Sequence, residues 1–440
     1  MKVFKFGGAS VSSVERIKNV AAILETYKDE KLVVIISAMG KTTNALEKVA
    51  EAFFAGKQDD ALKLFNLVKQ NHLTTAKYLL VKSYNKTLEE LVNYFTEVEW
   101  LLHDKPVRDY DYYYDQIVCI GEMLSTCLMS AYLNEVGVNN QLVDVRDLLR
   151  TDDNFRDAGV DWKVSKLAID NLVLAEEKTL RADTNTPGDK QRKTISNQPN
   201  IIITQGFIGS TDANESTTLG REGSDYSAAI FANILDAESL TIWKDVEGVM
   251  SADPKEFKDA TYLEALSYFE VIEMAYYGAQ VIHPKTIKPL QNKQIPLYVK
   301  SFINPQLPGT VISKKNGKNL PPIKIVKPNQ VIVFLSSQDF SFVGEEPMSK
   351  LYQIFNSLHI KPNLIQTGAI NIQICVDDHA EKIDQLAAAA SELFHVQIER
   401  GLSLLTIRHY TEDVLQSMIA GKQVELVQKT PSTVQVLYKN

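Results

Sequence analysis

A chain that opens MKVFKFGGAS has few ways to begin folding. Val3, Phe4 and Phe6, interleaved with Lys2 and Lys5, predict a short buried β-strand that stops at Gly7-Gly8. A helical pattern starts near Val14. Paired glycines at a strand-to-helix turn let backbone N–H groups approach an anion, because no Cβ stands in the way. The following helix brings its positive end to the same spot, and Lys5 adds a full charge. The stretch therefore reads as a phosphate cradle with its own cation. Neither G-x-x-x-x-G-K-[ST] nor G-x-G-x-x-G occurs here. Taken alone, a Gly-Gly after a strand is more often a plain tight turn.

The pattern that follows is an alternation of strands and helices. Apolar runs at 32–37 and 200–210, the strand-like segments 141–145, 239–246 and 296–302, and helices at 14–27, 110–137, 224–237 and 268–282 predict an α/β fold. The all-apolar run LVVIIS is typical of a strand covered on both faces, so the sheet is expected to be mostly parallel and doubly wound. The segment 296–302 is expected to be its last strand. Residues 43–103 have helical spacing, with Gly56 and Asn71 as the expected breaks, and read as an excursion of two or three helices serving as a lid or dimer surface. Residues 147–197 read as a loop-rich charged arm with one helix near 162–170.

Beyond a linker at 314–324 the units shorten to β-α-β-β-α-β followed by β-α-β-β. That order is nearly two ferredoxin-like repeats, the second lacking its last helix and strand. The apolar piece at 323–326 is a candidate for the missing strand. The expected division is a catalytic domain at 1–305 and a linker with a tandem regulatory region at 306–440.

Bulk properties exclude several classes. Forty-seven basic against fifty-five acidic residues give a net charge of −8, which disfavours nucleic-acid or anionic-membrane binding. No apolar run suggests a bilayer span and no signal pattern opens the chain, so a cytoplasmic protein is expected. Cys119, Cys127 and Cys375 lack metal-ligand spacing and read as buried, reduced thiols.

Several polar residues stand out by chemistry. Arg221 in GREGSD could grip a carboxylate bidentately. Glu122, in the middle of an otherwise apolar predicted helix, is either a partner for a substrate ammonium or one half of a buried salt bridge. Ser224 and Asp225 open a helix and could cap it.

The words KFGGASV, SAM-G-K-TTN, GEMLS, GREGSD, WKDVEGVMSADPK and YYGAQVIHPKT occur in this order over residues 5–286. That series resembles the amino-acid kinase family, and within it the aspartokinases, which phosphorylate the side-chain carboxylate of aspartate. The resemblance runs from end to end and is weakest in the C-terminal third, whose repeats resemble paired ACT modules. It implies ATP-dependent conversion of L-aspartate to 4-phospho-L-aspartate, the first step of lysine, threonine and methionine biosynthesis. It also implies a homodimer or higher homo-oligomer. Magnesium would be held chiefly by the nucleotide's own oxygens, with no protein metal site.

Residue by residue, the resemblance places Lys5 at the transferring phosphoryl group, with Gly7, Gly8 and Ser37 beside the phosphates. Thr43, Glu122, Arg221, Ser224 and Asp225 would hold the amino acid, Asp225 also orienting Lys5. Lys244, Asp245, Asp253 and Lys255 would lie around the nucleotide. The substrate carboxylate is already ionised at neutral pH, so the reaction needs charge neutralisation and positioning rather than a general base.

The chain departs from the family pattern at three positions. Glu222 stands where Gly is usual and is expected to tune substrate affinity, Met250 replaces an aromatic residue, and Gln280 replaces a Lys near the phosphates. In lysine-inhibited relatives the strand resembling 361–372 carries acidic residues, where this chain has Asn363 and Ala369. That charge complement is missing, so lysine feedback is not expected to be preferred: threonine control or insensitivity stands on an equal footing, as does a tail that serves mainly as a dimerisation platform. Rival readings are a kinase for another small acceptor and a catalytically silent amino-acid sensor. Gln280 and Glu222 leave room for the sensor, whereas Lys5, Arg221 and Asp225 together argue for the enzyme.

Overall fold

In the computed structural model the opening strand, β1 (Lys2–Phe6), lies inside an eight-stranded sheet. The structure describes residues 1–182, 199–315 and 319–439. In chain order the elements of the first two-thirds begin with α1 (Val14–Glu25), β2 (Leu32–Ile36), α2 (Thr42–Phe54), α3 (Gln58–Leu79), α4 (Tyr84–His103), α5 (Tyr110–Val118), α6 (Ile120–Glu135) and β3 (Asn140–Leu142). Then come α7 (Trp162–Ala182), β4 (Ile201–Gln205), β5 (Ile208–Ser210), β6 (Ser216–Thr218), α8 (Gly223–Ile234), β7 (Ser239–Lys244), β8 (Val249–Met250) and β9 (Tyr262–Leu263). β10 (Ala265–Ser267), α9 (Tyr268–Tyr276), α10 (Pro284–Lys293), β11 (Leu297–Ser301) and β12 (Thr310–Ser313) complete the series.

The chain divides into two compact units, one of Met1–Val249, Glu264–Ile272 and Ile282–Gly317, the other of Met250–Leu263, Glu273–Val281 and Lys318–Asn440. In the first, the sheet order is β10-β12-β11-β7-β1-β2-β4-β3. β1 pairs in parallel with both β2 and β7, and β2 with β4. β2 and β4 are buried at every residue, as helices on both faces require. The mostly parallel, doubly wound expectation holds, with an antiparallel β11–β12 step near one edge. Segment 296–302 is not the last strand, since β12 follows it into the same sheet.

Several local expectations change. The excursion is three helices, broken at Gly56 (φ +73°) and near 80–83, while Asn71 lies inside α3. The buried seam of Phe65, Val68, His72, Ala76 and Leu79 continues on both sides of exposed Asn71 and outweighs its modest helix propensity. The predicted helix 110–137 is two helices meeting at Cys119, where Glu122 N–H bonds the Cys119 carbonyl over a tightened i to i+3 step. Tyr110–Glu135 taken together is long and apolar enough to cross a membrane, but 83% of that apolar window is buried by the protein itself. Helix α9 stops at Tyr276, and Gly278 (φ +109°) turns the chain before α10. In the arm, α7 runs further than expected, and residues 183–198 lie outside the described residues.

The second unit contains β13 (Ile323–Ser337), α11 (Glu345–Ser357), β14 (Leu364–Thr367), β15 (Asn371–Asp377), α12 (Ala380–Ala390), β16 (Phe394–Arg408), α13 (Glu412–Ile419), β17 (Gln423–Lys429) and β18 (Thr433–Lys439). They form one antiparallel sheet of order β14-β15-β13-β16-β18-β17. Two pairs of predicted strands have fused into the long β13 and β16, each spanning both repeats. Ile323–Lys327 pairs with Leu404–Arg408, so the piece at 323–326 does supply the strand the second repeat lacks. The register shifts between Lys327 and Gln330, beside Asn329 (φ +56°), where β13 passes from one repeat to the other.

Candidate active site

The strands of the parallel sheet end together, and a cleft of about 410 Å³ opens at their C-terminal ends. Gly7-Gly8 follows β1, Ser37 follows β2, Gly206-Phe207 follows β4 and Lys244 ends β7. Gly8 begins a 3-10 turn (Gly8–Val11) rather than the long helix, and Ser13 caps α1 through its side chain. The cradle's donors are therefore the first N–H groups of that turn, which lack partners within the turn itself. Gly8 is required for packing, and Gly7 leaves room for the Lys5 side chain. A Cβ on Gly8 would stand 2.7 Å from the Ala38 carbonyl oxygen, and one on Gly7 would crowd the Lys5 ammonium at 3.3 Å.

Lys5 reaches from β1 into the cleft, where its Nζ lies 2.6 Å from Asp225 Oδ1. Asp225 sits in the first turn of α8 and is nearly buried. Neither Ser224 nor Asp225 caps this helix. The cap is Glu222, in the left-handed region (φ +54°), and the Asp225 carboxylate turns to Lys5 instead. Burial works against the charged form of Asp225, but the Lys5 and Lys244 ammoniums prevail and hold it below the ordinary carboxylate range. Ser224 packs over Gly206, where any Cβ would come within 2.6 Å of its own Cβ.

Glu122 lies in the first turn of α6, not in the middle of a helix. It is 2% exposed; Ala38 N–H donates to its Oε1 at 3.2 Å, while Oε2 is buried without a hydrogen-bond partner among the described residues. Burial pushes its carboxyl up to about 8, partly offset by backbone N–H groups and Lys5. The salt-bridge alternative is thus unsupported among the described residues, and Glu122 is one of the residues that line the cleft.

Thr43, Ser37, Arg221 and Ser224 line the same cleft, so of the predicted residues Lys5, Gly8, Ser37, Thr43, Glu122, Arg221, Ser224 and Asp225 are brought together. Asp245 is exposed just beyond β7. Asp253 and Lys255 belong to the second unit, where the Asp253 carboxylate accepts from Lys255 N–H at 2.9 Å. Met250 and Gln280 belong to that unit as well. The Glu222 carboxylate does not pair with Arg221. It accepts from His283 N–H at 2.9 Å, at the start of α10.

Tyr114, Arg156, Phe207 and Thr218 also line the cleft and were not foreseen. Arg156 and Thr218 are linked by Asp115, the neighbour of Tyr114, which is fully buried and accepts from Arg156 N–H (3.0 Å), Thr218 N–H (2.8 Å) and Thr218 Oγ1 (2.7 Å). One carboxylate thereby joins helix α5, the loop before α7 and strand β6. A lone Asp among the tyrosines of YDYYYD offers no sequence signal for that role.

A sheet of this order, with a glycine-floored cleft at its strand ends that sets Lys5, Arg156 and Arg221 among three carboxylates, is the framework of a phosphotransferase of the amino acid kinase type. The family model described as "Amino acid kinase family" matches residues 1–301, and the chain belongs to that family. It is 29% identical over 423 residues to aspartokinase 1, chloroplastic, of Arabidopsis thaliana, covering 92% of this chain and 70% of that one. Among solved structures it is similar to Escherichia coli aspartokinase III in complex with aspartate and ADP (R-state), at 25% identity and TM-score 0.77, covering 100% of this chain and 96% of that one. The same enzyme in complex with lysine and aspartate (T-state) superposes at TM-score 0.76 and 25% identity, covering 99% and 95%.

Proposed function

We propose that this chain is an aspartate kinase of amino-acid biosynthesis, transferring the γ-phosphoryl group of ATP to the side-chain carboxylate of L-aspartate. The observation that carries the reading is the pairing, in one cleft, of an anion cradle bearing Lys5 with a buried, orphaned Glu122 oxygen. An amino acid brings an ammonium to satisfy that oxygen, and a phosphate brings the anion that the cradle and Lys5 neutralise.

In the reaction a side-chain carboxylate oxygen of aspartate bonds to the γ-phosphorus as the bond from that phosphorus to the β,γ-bridging oxygen breaks, releasing ADP. Lys5 offsets the charge of the transferring group, and Asp225 fixes the direction of its ammonium. Glu122 receives the α-ammonium, Arg221 the α-carboxylate, and Thr43 and Ser224 complete the amino-acid pocket. Gly7, Gly8 and Ser37 approach the phosphates, with Lys244, Asp245, Asp253 and Lys255 serving the nucleotide. Magnesium, carried on the phosphates, would supply further charge neutralisation, and Asp225, already paired with Lys5, is not needed to hold it. Gln280 in place of a cation weakens ATP binding on this reading, so Gln280→Lys lowers the KM for ATP.

The tail, on this reading, is an effector-binding pair of ACT modules in a cytoplasmic homo-oligomer. Asn363 is committed to an internal network, with its Nδ2 donating to Gln330 Oε1 and Asp377 Oδ1 and its Oδ1 accepting from Lys327 Nζ. With Asn363 so engaged and no carboxylate at Ala369, lysine feedback is disfavoured, threonine control and insensitivity both stand, and calorimetric titration with each amino acid decides among them.

Hydroxamate trapping of the acyl phosphate with ATP, Mg²⁺ and aspartate tests the activity. Product with aspartate, and none with glutamate or without an amino acid, is expected. Folded protein that yields no product with any acceptor would favour the silent-sensor reading.

A further inference from the structure

We infer that Arg156 is a second carboxylate-binding residue of the substrate cleft, joining Arg221 on the non-reacting α-carboxylate, and that Asp111 holds it in reserve. The inference rests on the aspartate kinase reading above.

The backbone of Arg156 is locked, whereas among the described residues its guanidinium is held only by an exposed carboxylate, Asp111, and by the rings of Tyr110 and Tyr114. Its φ of +69° lies in the left-handed region, which a residue with a long side chain occupies only when its surroundings impose it. Buried Asp115 accepts its N–H at 3.0 Å, and a Cβ on Gly220 would stand 3.3 Å from its carbonyl oxygen. Gly220 directly precedes Arg221, so the backbones of the two arginines meet along one wall of the cleft.

The guanidinium lies 4.5 Å from the centre of the Tyr114 ring, another lining residue, and 3.0 Å from Asp111 Oδ1. That ion pair is weak, because its members are 42% and 55% exposed. Pairs so open to water contribute about 0–1 kcal/mol, so exchanging Asp111 for a substrate carboxylate costs little. A carboxylate fixed between two planar guanidinium forks gains in both affinity and orientation. Binding at the non-reacting end is made alike in the ground and transition states, so it is read in the KM for aspartate.

Aspartate binding to the folded protein, measured calorimetrically, tests this without depending on turnover. Arg156→Gln should weaken aspartate binding by about tenfold, the scale of one charge-assisted hydrogen bond, with Arg156→Lys intermediate. Asp111→Asn should tighten it about two- to fivefold, since release from a weak surface pair is all that is gained. In turnover, the KM for aspartate should follow these changes while the KM for ATP and kcat stay near wild type. L-Isoasparagine, the α-amide of aspartate, carries no α-carboxylate charge, and its binding should be insensitive to Arg156→Gln. An equal loss for isoasparagine, a rise in the KM for ATP, or weaker aspartate binding in Asp111→Asn would overturn the assignment. Aspartate turnover with unchanged aspartate affinity in Arg156→Gln would overturn it while leaving the proposed activity standing. Failure of the wild-type protein to bind aspartate would remove both.

Discussion

Lys5 Nζ and Asp225 Oδ1 lie 2.6 Å apart with both side chains largely buried, so the cation of the phosphate cradle is aimed by a carboxylate on a different element. The pair joins the central strand to the first turn of α8, 220 positions later in the chain. Removing either partner takes the nearest counter-charge from a group held out of water, although Lys244 still attracts Asp225.

Lys5→Met and Asp225→Asn are each expected to destabilise the fold by about 3–5 kcal/mol, the usual cost of breaking a buried pair from one side. The double variant should lose less than the two singles summed. Lys5→Met should also lower kcat by about 10²–10³-fold, as loss of a donor to developing charge does elsewhere. Denaturant unfolding and steady-state kinetics measure the two effects, and additive stabilities would show that the residues act independently.

Glu122 links binding to protons. Its carboxyl, pushed up to about 8 by burial, is mostly protonated in the empty cleft at pH 7. An incoming ammonium favours the carboxylate, so aspartate binding should release close to one proton per site. Titration calorimetry at pH 7 in buffers of different ionisation enthalpy reads this directly, and Glu122→Gln should abolish the release. The same shift has a consequence for the unliganded fold. Its raised value means that the folded state retains a proton the unfolded chain has lost, so stability falls as pH rises from the ordinary glutamate value toward 8.

Glu222 occupies a left-handed backbone position and spends its carboxylate on His283 N–H. Glu222→Gly loses that bond but relieves the strain, so stability should change by under about 1 kcal/mol. Glu222→Ala loses the bond and keeps the strain, and should be about 1 kcal/mol less stable than the glycine variant. The KM for aspartate in both reports whether the tie to α10 steadies neighbouring Arg221. Equal stabilities of the Ala and Gly variants would contradict the account.

Asp377 in the regulatory sheet is held below the ordinary carboxylate range. Burial opposes this, and Gln330, Asn363 and the Lys327 charge outweigh it. The stability it lends is therefore present at neutral pH and lost only as pH falls through its lowered folded value. Asn363→Asp sets a second carboxylate against it, which raises one of the two values and makes the variant gain on wild type as pH falls from 7. The Tm difference between the proteins should shrink between pH 7 and 5. A constant difference would mean that the network does not couple the two side chains.

Much of this was legible in one dimension because it is local. The strand–glycine cradle, the fully apolar β2 and β4, and the small-residue helix α8 follow from patterns within a few residues. The chemical types of Lys5, Glu122, Arg221 and Asp225 stood out for the same reason. Misreadings arose where a distant partner decided the outcome. Asn71 stayed helical because a buried seam continues past it on the other face of α3, and Asp225 gave up capping because Lys5 was within reach. Two pairs of short predicted strands became β13 and β16 because a shared sheet lets hydrogen bonding run on past Asn329 and Gly401.

The sequence by itself determined the class of fold, the site of the anion cradle and the kind of charges placed near it, since periodicity and glycine placement are properties of neighbouring residues. Tertiary structure alone decided which of those charges meet. The bond from Ala38 N–H to Glu122, the Lys5–Asp225 pair, the lock that Asp115 places on Arg156 and the strand that residues 323–327 lend to the second repeat all join residues far apart in the chain. Burial and hydrogen bonding across such distances, rather than residue type, set their charge states and their partners.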